Sequence, residues 1–332
     1  MTEPFSDFIA PAPSGDAITL MPPQVGNFPA DLMSVIVAAF SKVQPDMVDA
    51  VRICLTLILC AVLLGLFRSL PGKMNEIVSI AGAVMPGMIL LSNTRSMVQL
   101  ATSTVTEMSQ YGKLLLPVLT ATLAGQGGGG TSAALYTMTM VADSIFCSFL
   151  TKLLIPLVYT FLLLQICFAV TKDIMMGSLS KQISGIVSWI MKISLTAYTA
   201  LLSVTGVITG TTDAAALKAT KLTLSNVVPL VGGILSDASE AVLVGAGVVK
   251  NTAGVYGLLS LLAILVTPFL KIGIQYLMLK GTTVVCQILD DGAVSQIISA
   301  FTTAMGILLA LVGSMAIIFA ISIICFLKGM GG

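Results

Sequence analysis

From residue 51 onward the chain alternates long apolar runs with short polar breaks. That is the pattern of membrane spans, each needing about 20 apolar residues to cross roughly 30 Å of hydrocarbon. It predicts spans near 53–70, 77–92, 153–170, 183–208, 227–249, 254–278 and 301–327. Between them, Leu114–Ala124 is apolar but too short to cross alone, and Ala133–Phe149 resumes after a run of glycines. Two short apolar halves around Gly125–Ser132 predict a broken or re-entrant pair over 114–149. Residues 93–112 mix Arg95 and Glu107 with Met, Val and Leu, which suits an inward-facing or interfacial helix rather than a lipid-exposed one. The fold class expected is therefore all-α: a polytopic integral membrane protein with about six to eight inserted helices.

Residues 1–50 differ. Pro4, Pro11, Pro13, Pro22, Pro23 and Pro29 punctuate the first thirty positions, which predict an extended arm. Leu32, Val35, Ile36, Ala39, Phe40 and Val43 then follow helical spacing, opened by Asp31 as N-cap and closed near Pro45. This arm and amphipathic helix form a first region, 1–50, expected outside the cytoplasm, ahead of a polytopic region over 51–332. No Lys or Arg precedes an apolar run in the arm, so it does not read as a signal peptide.

Composition sharpens this. Of 332 residues 56% are hydrophobic and 9% charged, against about 25% charged in a soluble domain. Too few polar side chains remain to cover a water-facing surface. Six acids and one base in residues 1–50 give −5, while nine acids and fifteen bases in the remainder give +6, summing to the net +1. No basic cluster points to nucleic acid. Lys42 and Arg52 before the first span balance Arg68 and Lys73 after it, so the positive-inside rule assigns no orientation.

Histidine is absent, which removes Ser-His and Cys-His nucleophile pairs, HExxH zinc chemistry and histidine proton relays. The six cysteines form no CxxC pair and lie mostly in apolar runs, as buried small hydrophobes do. Gly125 and Gly130 have phosphate-loop spacing, but Thr131 stands where that motif needs Lys, so the run is read as a hinge between half-helices. Asp143 and Asp237 both lack a GxGD-like context for intramembrane aspartyl proteolysis. No enzyme, cofactor or metal site is expected.

The polar interruptions that remain are Gly127, Gly128, Gly129, Gly130 and Ser132 at the break, Asp143 beyond it, and Ser236, Asp237 and Glu240 in the sixth run. Ionised carboxylates in hydrocarbon are costly, so they face protein, water or an interface. A structural face, a conduit or partner face, and ion coupling are the three readings of these positions. Ser79, Ala83 and Gly87, four apart, form a small-residue stripe that admits a close neighbouring helix.

The stretch Val228-Pro229-Leu230-Val231-Gly232-Gly233-Ile234-Leu235-Ser236-Asp237-Ala238, with Glu240-Ala241-Val242, Lys250-Asn251 and Gly254 to Gly257, resembles the signature of the stage III sporulation protein AE family. Ala214–Lys221, Leu116–Thr120 and Ser132–Ala134 fit the same pattern, and the resemblance spans about residues 50–330. It implies a polytopic component of an assembly in endospore-forming bacteria, located in the mother-cell membrane that surrounds the forespore. The implied partners are the other products of the stage III A operon, including a separate ATPase subunit, and the forespore-side stage II sporulation protein Q. Together these would form a channel-like or secretion-like apparatus supporting late forespore gene expression. Family members can begin with a signal peptide and a longer head, where this chain has a short acidic arm.

The expected function is thus a non-enzymatic membrane subunit of that channel complex. Its rivals are a stand-alone secondary transporter coupled through intramembrane Asp residues, and a scaffold subunit with no conduit role.

Overall fold

The structure, a computed structural model, describes residues 15–21, 28–68, 74–125, 129–204, 252–289 and 292–329. Apart from short turns these residues are helical, and no strand occurs among them. Within the expected extended arm, Gly15–Leu20 forms a 3-10 turn. It buries Ala17 and Leu20, and the Met21 thioether accepts the Ser260 hydroxyl at 3.8 Å.

Helix α1, Phe28–Arg68, joins the amphipathic segment and the first expected span into one rod of 41 residues, roughly 60 Å long. It does not close near Pro45. The buried positions Val35, Ala39, Val43, Ala50, Cys54, Leu57 and Ala61 run on one face straight through the proline. That continuous packing outweighs the single backbone bond the proline removes. Helix α2, Met74–Gly125, likewise absorbs the second expected span, the mixed stretch and the first half of the broken pair into 52 residues, with Pro86 and Pro117 inside it.

The second half of that pair starts α3, Gly129–Phe149, which passes through one π-helical stretch, Leu150–Leu154, into α4, Ile155–Thr171. So 129–149 and 153–170 belong to one continuous rod, not to two inserted elements. Lys152 lies between the two, and a lone exposed lysine does not interrupt a helix. A true stop comes at Lys172, the one described non-glycine residue with positive φ (55°), whose N–H donates to the Phe168 carbonyl at 2.8 Å. Asp173 then caps α5, Ile174–Val204, by accepting the Met175 N–H at 2.9 Å. Helices α6, Thr252–Leu289, and α7, Ala293–Gly329, complete the described chain.

Four helical stretches are long and apolar enough to cross a membrane: Ala30–Leu66, Tyr136–Thr171, Val255–Leu289 and Ala293–Phe326. The described residues therefore fall short of six to eight spans. The expected span 227–249 and the polar loop before it lie outside the described residues.

Helix α7 is the axis of the bundle. Ile298, Phe301, Met305, Leu308, Val312, Met315, Phe319 and Phe326 are all buried at 2% exposure or less. Helices α6 and α7 are antiparallel, with Thr283 and Thr302 hydroxyls bonded at 3.2 Å. Helices α1 and α6 run in the same direction, since Met21, ahead of α1, meets Ser260 and, further along both segments, Asp46 pairs with Lys271 at 3.0 Å. Helix α2 opposes the α3–α4 rod: the Cys147 thiol donates to the Val105 carbonyl, and Gly87 abuts Ile166.

Candidate functional site

Helix α2 has two faces of opposite character. Its inner face buries Leu90, Val98, Ala101, Val105, Met108, Leu115 and Leu119. Its outer face exposes Ser92, Ser96, Gln99, Ser103, Thr106, Gln110 and Lys113, with Arg95 at one edge and half-buried Glu107 at the other. These positions advance by four and three residues in turn, so they lie in one line along the helix. From Ser92 to Lys113 the line is about 32 Å long, close to the thickness of a hydrocarbon layer.

The surroundings of that line are apolar. Large hydrophobic side chains are exposed on α1 (Leu55, Leu59, Leu63), on α3 and α4 (Val141, Ile145, Leu163) and on α5 (Ile186, Trp189, Ile193). On α2 they occur at Ile80, Met85, Met88, Ile89 and Leu114, and none between Ile89 and Leu114. The polar stretch also lies level with the most apolar helix. Gly82 abuts Val294 and Gly112 abuts Phe319, so this part of α2 runs beside α7 in the same direction. An amide placed unpaired in an apolar medium costs roughly 2–7 kcal/mol. Gln99 and Gln110 on the line make lipid a poor solvent for it.

A second polar feature is internal. Asp143 on α3 is 4% exposed, and neither carboxyl oxygen is hydrogen-bonded. The Tyr198 phenol of α5 lies beside it. Tyr198 is bonded to Ser322 of α7, whose own hydroxyl hydrogen goes to the Ile318 carbonyl at 2.9 Å. Either hydroxyl can be the donor in the Tyr198–Ser322 bond, so the phenol can face Asp143 as donor or as acceptor. Thr139, one turn before Asp143, is also buried with an unbonded hydroxyl. Helices α3, α5 and α7 thus meet at a small polar cluster inside an apolar bundle, where an unpaired polar atom costs about 1–3 kcal/mol.

Among the described residues, the glycine break and Asp143 do not come together. Gly129, Gly130 and Ser132 open α3, Gly127 and Gly128 lie outside the described residues, and about 21 Å of helix separates Gly129 from Asp143. Ser236, Asp237 and Glu240 lie outside the described residues. Ala83 and Gly87 are buried, Gly87 facing Ile166 of α4, and Ser79 sits one turn before them on α2. Among the described residues no three His, Cys, Asp or Glu side chains are placed to hold a metal.

Two features escaped the sequence reading. The α2 line was legible in the four-three spacing of Ser, Gln and Thr from 92 to 110, masked by the Met, Val and Leu between them. The Tyr198–Ser322 bond joins residues 124 apart, and no local pattern announces it.

Comparison with known proteins gives one family. The family model described as stage III sporulation protein AE matches residues 19–329. Stage III sporulation protein AE of Bacillus subtilis (strain 168) is 22% identical over 235 residues, covering 71% of this chain. The chain spans 59% of that relative's length in the match. No solved structure matches this chain.

Proposed function

We propose that this chain, which belongs to the stage III sporulation protein AE family, is a non-enzymatic membrane subunit of a channel or secretion-like complex between mother cell and forespore. The complex lies in the mother-cell membrane around the forespore and supports late forespore development. Its other members are the remaining products of the stage III A operon, among them a separate ATPase, with stage II sporulation protein Q on the forespore side. The carrying observation is the outer face of α2. A chain with four helices fit to cross a membrane and one face about 32 Å long that lipid solvates poorly is incomplete by itself, as a subunit is. The same face is where the chain would meet the rest of the complex or its water-filled path.

Replacing Ser96, Gln99, Ser103 and Thr106 together by Leu in the native organism tests this. Leucine favours both helix and lipid, so insertion and protein level should be retained while heat-resistant spores are lost and engulfed forespores stall. Wild-type spore yield from that variant would remove the face from any functional role.

The Asp143 cluster favours a second reading, a stand-alone transporter coupled through a buried carboxyl. Uptake by liposomes holding this chain alone, abolished by Asp143→Asn, is the outcome that reading requires.

A further inference from the structure

The polar line on α2 has the spacing of a helix-packing seam. Ser92, Ser96, Gln99, Ser103, Thr106, Gln110 and Lys113 repeat as four-three-four-three-four-three, which keeps side chains on the contact line of a left-handed helix pair. We propose that α2 packs along this seam against α2 of a second copy of the same chain, forming a symmetric parallel pair within the membrane. The inference rests on reading this face as turned away from lipid.

Several features select a second copy as the occupant. Copies inserted with one orientation pair in parallel, so each seam residue meets itself across a twofold axis. Ser and Gln suit that meeting, because a hydroxyl and a carboxamide each carry both donor and acceptor. Ser92, Ser96 and Ser103 are small enough to let the backbones approach, and Gln99, Thr106 and Gln110 reach across, the combination found where membrane helices associate. Charge is kept off the middle of the line. Arg95 lies on one edge, Glu107 on the other, and Lys113 ends the seam, where its long stem carries the ammonium toward the interface. Helix α2 carries no cysteine of its own, and the outer faces of α1, α3, α4 and α5 all carry exposed large apolar side chains, whereas α2 exposes none between Ile89 and Leu114.

Single cysteines placed along α2 of the full chain, in native membranes, test the pairing. Oxidation should give disulfide-linked dimers at Ser96, Gln99, Ser103, Thr106 and Gln110, with little at Val98, Ala101 and Val105 on the inner face and none at a control cysteine replacing exposed Leu59 of α1. Only paired positions bring Cβ atoms within the roughly 4 Å that a disulfide needs. The six native cysteines set the background, measured in the parent chain. A second variant guards against chance collision: Gln99→Leu with Gln110→Leu should abolish the dimer formed through Ser103→Cys. If dimers fail to form and the same cysteines react with a membrane-impermeant charged thiol reagent, the face lines water and the pairing is wrong. If neither happens, a different subunit covers it and the pairing is again wrong, though the subunit reading survives. Reaction only with a lipid-soluble reagent would overturn both.

Discussion

Asp143 shows how a single residue can be readable in type and unreadable in setting. An aspartate in the middle of an apolar run was visible in the sequence, and so was the expectation that it faces protein, water or an interface. Its neighbours were not, because Tyr198 and Ser322 come from helices α5 and α7, 55 and 179 residues further along. Neither of its oxygens is hydrogen-bonded, and the Tyr198 phenol beside it is bonded to Ser322. Such a group burdens stability, and groups of that kind persist where function retains them. Asp143→Leu should therefore raise the stability of the purified protein by about 1–3 kcal/mol, since it deletes an unsatisfied carboxyl and leaves the Tyr198–Ser322 bond intact. Thermal unfolding in detergent reads the first effect, and spore yield, expected to fall, reads the second. A less stable variant would instead mean that the carboxyl holds α3, α5 and α7 together.

At the scale of helices, apolar periodicity was legible and boundaries were not. Pro45 was expected to end a helix, yet like Pro86 and Pro117 it sits inside a helix whose buried face continues past it. One lost backbone bond is small against a long packed face, so tertiary contact decided what local propensity could not. Helix α2 ends at Gly125 and α3 begins at Gly129, within the run read as a hinge, and glycine's large entropy loss in a helix favours an end there. Packing between α2 and α7 turns on another glycine that no pattern marked. A Cβ on Gly112 would fall inside the ring of Phe319, which is 2% exposed and cannot swing away. Gly112→Ala should cost about 1–3 kcal/mol through overpacking. Phe319→Leu in the same chain should recover part of that loss, and the double-mutant cycle should give a coupling of about 0.5–3 kcal/mol. Additive losses in thermal unfolding would show that the two helices do not meet at this point.

For the whole molecule, the directions of the helices constrain how the chain is threaded through the membrane. Met21–Ser260 and Asp46–Lys271 make α1 and α6 parallel, and Thr283–Thr302 makes α7 antiparallel to α6. Gln165 bonds Ser180 at 2.7 Å across the Lys172 turn, so α5 folds back on α4. Near its end α5 meets α7 through Tyr198 and Ser322, close to the end of α7, which is also the level at which α6 begins. Val204 and Thr252 therefore lie at the same end of the bundle. The sequence alone implies the opposite: spans at 183–208, 227–249 and 254–278, taken one after another, put Val204 and Thr252 on different sides of the membrane. Short protease-cleavable tags inserted after Val204 and before Thr252, each in an otherwise intact chain, separate these two threadings. Cleavage from one compartment at both sites, and from the other compartment at a tag placed after Leu289, is the result the helix directions require. Cleavage of the first two tags from opposite compartments would mean that α5 does not run beside α7 in the direction described, and with that would go the contact between Tyr198 and Ser322.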